Sequence, residues 1–152
     1  MIQYKSLENT SYEQLAECFR LAFSDYYFPM QLSPQQLQAH LEQSGVDLGL
    51  SYGAFADETI VGFIFNASSL YNGQKAAFDV GTAVVPQHRG KGVFHQMFQI
   101  MERKLVLQSM VSTYSNISVK NIDTAYPQVL ELLHSLQFKE VTRQFEMSKK
   151  LS

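Results

Sequence analysis

The sequence predicts an α/β fold of the α+β kind, a mixed sheet covered by helices. Three observations carry that prediction. Two helix-start signals come early, at 10–13 and 33–36; three β-rich runs crowd the stretch between 52 and 85; and helices follow single strands only in the second half. The element order that results is β-α-α-β-β-β-α-β-α-β.

Residues 2–7 read as the first strand. Thr10-Ser11-Tyr12-Glu13 has the spacing of a capping box, in which side chains satisfy free amides at a helix start. Leu15, Cys18, Phe19 and Ala22 follow at helical spacing. Ser33-Pro34-Gln35-Gln36 is a second start, with a cap, a proline at the first helical position and a glutamine at the third. Leu37 and Leu41 share a face of that helix, and Gly45 is its stop.

Tyr52-Gly53-Ala54-Phe55-Ala56 and Ile60-Val61-Gly62-Phe63-Ile64-Phe65, joined across Asp57-Glu58, read as an antiparallel hairpin. Asn72-Gly73 marks another turn, and a third β-rich run over about 76–85 ends in Val84-Val85-Pro86. A long helix over about 91–107 presents Phe94, Met97, Phe98, Met101 and Leu105 on a broad apolar face. A strand at about 112–119 follows. The last helix starts between 121 and 126, tolerates Pro127 in its first turn and carries Val129, Leu132, Leu133 and Leu136. Val141, Phe145 and Met147 close the chain as an alternating strand.

A chain of 152 residues and 17.3 kDa suits one domain over 1–152. At that size it buries about 70% of its unfolded surface, so no metal or disulfide staple is called for. The 45% hydrophobic and 12% aromatic content exclude disorder. Lys+Arg 12 against Asp+Glu 14 leaves −2, which argues against a nucleic-acid partner. The single cysteine, Cys18, excludes an intrachain disulfide and a multi-cysteine zinc site; it reads as a packed core residue. His40, His88, His95 and His134 lack paired metal-ligand spacing, so no metal is expected. No run of apolar residues is long enough to span a membrane, and residues 1–8 lack a secretory pattern, so the expected location is the cytoplasm.

The segment Val84-Val85-Pro86-Gln87-His88-Arg89-Gly90-Lys91-Gly92-Val93 carries the chemistry. A buried strand ends, a loop with two glycines follows, and a long helix begins. Backbone N–H groups at such a junction have no helical partner and form an anion cradle, reinforced by the positive end of the helix dipole. Glycine lets a phosphate approach without a Cβ in the way, and Arg89 and Lys91 add mobile positive charge at the rim. The spacing by itself fits a plain glycine-rich turn equally well. It does not fit a P-loop, which needs a glycine where Val85 sits and Ser or Thr where Gly92 sits. No Gly-x-Gly-x-x-Gly of the dinucleotide-binding kind follows an early strand.

Gln87-x-x-Gly90-x-Gly92, preceded by Val84-Val85-Pro86 and opening a helix, resembles the acyl-CoA signature of the GNAT superfamily of N-acetyltransferases. The element order matches that family over nearly the whole chain. Asn121 after a strand resembles its second cofactor-contacting region, and Leu136-Gln137-Phe138 stands where Leu-Gly-Phe is common.

The resemblance implies a mostly antiparallel central sheet of six to seven strands with about four helices, and acetyl-CoA as acyl donor, without a metal. Acetyl-CoA would lie where the strand ending at Val85 splays from the strand at 112–119. The amides of Gln87, His88, Arg89, Gly90, Lys91, Gly92 and Val93 would hold the pyrophosphate. The backbone of Val84 and Val85 would bind the pantetheine arm, one of their N–H groups polarising the thioester carbonyl. Asn121 would contact the pantetheine, or else simply cap its helix.

The expected reaction is direct transfer of an acetyl group to a primary amine of a small molecule or peptide. The amine must lose a proton first, from a pKa of about 10.4 if lysine-like. Asp79 is the leading candidate base, the competing reading being an acid bonded within the sheet; Glu58 is more simply a solvated turn residue. The family's usual tyrosine acid falls on Leu133 here, and Gln137 replaces the glycine, which leaves His134, Tyr126, Tyr114 or water to protonate the departing thiolate. Tyr27 and Phe28, in Phe23-Ser24-Asp25-Tyr26-Tyr27-Phe28-Pro29-Met30, either line the acceptor pocket or cap the core. A dimer is common in that family, though no feature of this chain demands one. The rival reading is the same fold holding acyl-CoA without turnover, as a sensor or interaction module.

Overall fold

The computed structural model describes residues 1–27, 30–110 and 116–118, with His134 and Lys139. The chain divides into two units, Met1–Lys120 and Asn121–Ser152. In the second, His134 is helical and exposed and Lys139 is exposed; the expected last helix and closing strand otherwise lie outside the described residues. The first unit contains β1 (Ile2–Ser6), α1 (Tyr12–Ala22), α2 (Pro34–Gln43), β2 (Tyr52–Ala56), β3 (Thr59–Tyr71), β4 (Gln74–Val84), α3 (Val93–Met110) and β5 (Asn116–Ser118). The strands form one sheet in the order β1-β2-β3-β4-β5. The first four are antiparallel neighbours, and β5 runs parallel to β4. Five strands and three α-helices are thus present among the described residues.

Both tight hairpins come from the expected turns. Asp57 and Glu58 have φ of 46° and 67°, and Asn72 and Gly73 have 51° and 77°, the left-handed pair that suits the twist of two-residue hairpins. At α2 the capping box forms as read: Ser33 Oγ accepts from the Gln36 amide at 3.2 Å, and Gln36 Oε1 accepts from the Ser33 amide at 2.9 Å. At α1 the cap moves one residue. Ser11 Oγ accepts from the Gln14 amide at 3.3 Å, because the Thr10 amide is held by Leu7 O at 2.9 Å in the turn that leaves β1.

The two faces of the sheet are told apart by residue parity on β3. The Phe63 ring stacks on Phe65 at 4.3 Å and on Phe19 of α1 at 5.9 Å. Asn66 points the other way, its Nδ2 at 3.0 Å from Met101 Sδ on α3. α1 and α3 therefore cover opposite faces. Leu15, Cys18, Phe19 and Ala22 are buried on the first, and Met97, Phe98 and Met101 on the second. Leu37 and Leu41 of α2 are buried as well.

One irregularity positions the site. Phe65 faces Gly81 but Asn66 faces Asp79, so Val80 is an extra residue bulging from β4. Among the described residues β5 pairs with β4 over Ala76, Ala77 and Phe78, immediately before that bulge. From Asp79 to Val84, no described strand lies along the β5 side of β4.

Phe63 is fully buried and central to the aromatic stack. Phe63→Ala is expected to cost about 3–5 kcal/mol, as a core cavity does; urea unfolding with an unchanged slope checks it.

Candidate functional site

The end of β4 carries main-chain groups turned off the sheet. The Val85 amide donates to Val61 O at 2.9 Å, which makes Gly62 and Val84 a non-hydrogen-bonded pair. The N–H and C=O of Val84, and of Thr82 two residues earlier, therefore face the β5 side. Of the two expected polarising amides, Val85's is already committed to β3, and Val84's is directed away from β3, to the β5 side.

The loop follows the same accounting. A 3-10 turn over Pro86–His88, absent from the sequence reading, makes the His88 amide donate to Val85 O at 2.9 Å and the Arg89 amide to Pro86 O at 3.2 Å. Those two of the seven expected cradle donors are engaged by the chain itself. The first amide bonded within α3 is Gln96, to Gly92 O at 3.0 Å. The amides of Gly90, Lys91, Gly92 and Val93 meet no acceptor among the described residues, as the start of a helix requires.

Gly90 and Gly92 have φ of +70° and +75°, a left-handed conformation that costs an L-residue about 1–2 kcal/mol. They hold 90–92 out of the helix, which is why α3 starts at Val93 rather than near 91. A Cβ built on either would meet nothing within 4 Å, so both look onto open space. Gln87 and Lys91 are exposed beside them and His88 is half-buried.

Arg89 is not the mobile rim charge expected of it. Its Nε donates to Val84 O at 2.8 Å, its Nη2 to Ala22 O at 2.6 Å, and its guanidinium grips both oxygens of Asp25 at 2.6 and 3.1 Å. That bond holds the Asp25 carboxyl below the usual carboxylate range. Lys91, the other expected rim charge, is exposed.

Asp79 is 5% exposed and shares a face with its register partner Asn66, the face that α3 covers. Thr82 Oγ1 donates to its Oδ1 at 3.0 Å. Burial pushes the Asp79 carboxyl up to about 7 against the bonds from Thr82 and the Gly81 backbone, which pull it down. Its ionisation thus falls near neutral pH, where a proton acceptor is most useful. Glu58 is exposed in its turn and bonded to Lys5 at 3.4 Å. Burial pushes the Cys18 thiol up to about 12, an unreactive state. Tyr27 is 89% exposed. Phe28, Tyr114, Asn121, Tyr126 and Leu133 lie outside the described residues.

The sequence reading missed Asp25 and Thr82 as partners. Thr82 stands three residues from Asp79 and was legible only with the bulge in hand, since regular alternation puts the two on opposite faces. No spacing relates Asp25 to Arg89, 64 positions apart.

No family profile matches the chain, and no curated protein matches it. Its fold matches solved structures over nearly its full length. The NatC complex bound to Gag peptide and CoA aligns at TM-score 0.69 and 21% identity, over 95% of this chain and 88% of that one. The ribosomal-protein-alanine N-acetyltransferase of Brucella melitensis biovar Abortus 2308 aligns at 0.67 and 16%, over 98% and 100%. A transcriptional regulator of Bacillus halodurans C-125 aligns at 0.67 and 17%, over 98% and 100%. Aminoglycoside acetyltransferases occur among the further matches. Among the described residues no group of side chains is arranged to hold a metal ion, and no helix is long and apolar enough to cross a membrane.

The raised Asp79 pKa has a signed consequence. The folded chain keeps a proton that the unfolded chain releases near 3.8, so Asp79's contribution to stability is full at low pH and fades as pH rises through about 7. Asp79→Asn is therefore expected to gain on the native chain by on the order of 2–4 kcal/mol between pH 4 and pH 8. Urea unfolding at the two pH values checks this; an equal difference at both contradicts it.

Proposed function

The chain has the GNAT acetyltransferase fold, and from that premise we propose that residues 1–152 form an acetyl-CoA-dependent N-acetyltransferase domain acting on a primary amine of a small molecule or peptide. The observation that carries the proposal is the row of amides at Gly90, Lys91, Gly92 and Val93, which meet no acceptor among the described residues, at the positive end of an 18-residue helix. A diphosphate is the ligand such a row suits. The open space over Gly90 and Gly92 allows it to reach the backbone.

Bound acetyl-CoA would supply the acetyl group as an activated thioester. The β5-facing edge of β4 would receive the pantetheine amides much as a strand edge receives another strand, through Thr82 N–H and C=O. Val84 C=O already accepts from Arg89 Nε. Val84 N–H would steady the thioester oxygen, on which negative charge grows as the amine attacks. Asp79, beside the bulge of β4, would accept the ammonium proton, through water given its burial. The thiolate would take a proton from Tyr114 or from solvent. Tyr27 and Phe28 would line the acceptor side. The ligands and names of the similar structures favour amine acceptors of two sorts, peptide and aminoglycoside.

Calorimetry with CoA tests the cradle. Gly90→Glu and Gly92→Glu are expected to abolish the binding heat, because each puts a side chain and a negative charge where the diphosphate lies. Native-like affinity in both contradicts the assignment. Thiol release from acetyl-CoA, over a panel of polyamines, aminoglycosides and peptide amines, tests turnover; binding without acceptor-dependent release would favour the non-catalytic holder. Where turnover is found, the rate should rise with pH through about 7. Asp79→Asn should lower kcat by about a hundred-fold or more and remove that inflection.

A further inference from the structure

Arg89 joins three segments that are distant in sequence. Ala22 ends α1, so its carbonyl has no helical partner and lies at the negative end of the helix dipole. The Val84 carbonyl faces off the sheet at the end of β4. Asp25, in the stretch that follows α1, takes the fork of the guanidinium with both oxygens, a geometry that lysine cannot reproduce. The next residue in the chain, Gly90, contributes the first amide of the cradle. Around Asp25 the aromatic rings are also connected: Tyr26 meets Phe23 edge-on at 4.9 Å, and Phe23 lies 6.5 Å from Phe63.

We propose that Arg89 is a positioning residue that couples the CoA loop to residues 23–27, so that filling the cradle and the arrangement of Phe23, Tyr26 and Tyr27 are linked. This rests on the reading of the loop as a CoA site. A diphosphate drawn onto the amides from Gly90 onward sets the backbone of Arg89, and the bidentate pair passes that setting to Asp25. Linkage makes the effect mutual: whatever holds residues 23–27 in place also tightens CoA. Asp25 itself touches no part of the cradle among the described residues, so an effect of its substitution on CoA has to travel through Arg89.

The test is calorimetric titration of the full chain with CoA, for the native protein, Asp25→Asn, Asp25→Glu, Arg89→Gln and the Asp25→Asn/Arg89→Gln pair, with melting temperature as the check of folding. Coupling expects Asp25→Asn to lose about five-fold or more in affinity. It expects Asp25→Glu to recover most of that loss, and the double variant to bind no worse than Arg89→Gln alone. A second readout is optical. The chain has no tryptophan, so Tyr27→Trp installs a single reporter on the segment. CoA should shift its emission in the otherwise native chain and leave it unmoved once Asp25→Asn is added. Native affinity in Asp25→Asn together with an undiminished emission shift overturns the coupling alone. A native chain that binds no CoA overturns the reading of the loop and the coupling with it, so the two failures are distinguishable.

Discussion

An α-helix cannot bond the amides of its own first turn, and the rest of this site is arranged around that constraint. The 3-10 turn before α3 engages the amides of His88 and Arg89. Two glycines at positive φ then keep the next residues from joining the helix early. What remains is a short row of donors, from Gly90 to Val93, at the positive end of α3, with open space above it. A side chain at Gly90 or Gly92 would strain the backbone and extend into space that is now open.

The sheet supplies the second half of the arrangement. The extra residue Val80 interrupts the regular pairing of β4 with β3, and the described pairs of β4 with β5 lie before it, over Ala76, Ala77 and Phe78. Past that point the alternation of the antiparallel ladder assigns Val85 to β3 and turns Thr82 and Val84 outward. The same bulge puts Asp79 and Thr82 on one face, where they bond at 3.0 Å beneath α3. A buried carboxylate with a raised pKa is a cost to the fold at neutral pH.

Much of this was legible in the sequence because local signals decide it. Ser33-Pro34-Gln35-Gln36 specifies its capping box with contacts no more than three residues apart. Asn72-Gly73 specifies its turn through backbone preference alone. The glycine pair, flanked by Val84-Val85-Pro86 and an apolar helix, marks the left-handed turns that delay α3 to Val93. The features that escaped depend on distant partners or on small shifts of register. The cap at Ser11 rather than Thr10 follows from a bond to Leu7 that no local motif announces. The bulge at Val80 has no composition of its own. Arg89 looks in sequence like any basic residue beside a phosphate loop, yet its charge is claimed by Asp25 and by two carbonyls.

The most direct measurement is an amide-resolved NMR titration of the ¹⁵N-labelled chain with CoA. The account expects the largest shifts at Gly90, Lys91, Gly92, Val93 and Val84, with smaller ones at His88 and Arg89, whose amides the chain already occupies. A spectrum in which the first group stays still at saturating CoA, or in which His88 and Arg89 respond most, would contradict it.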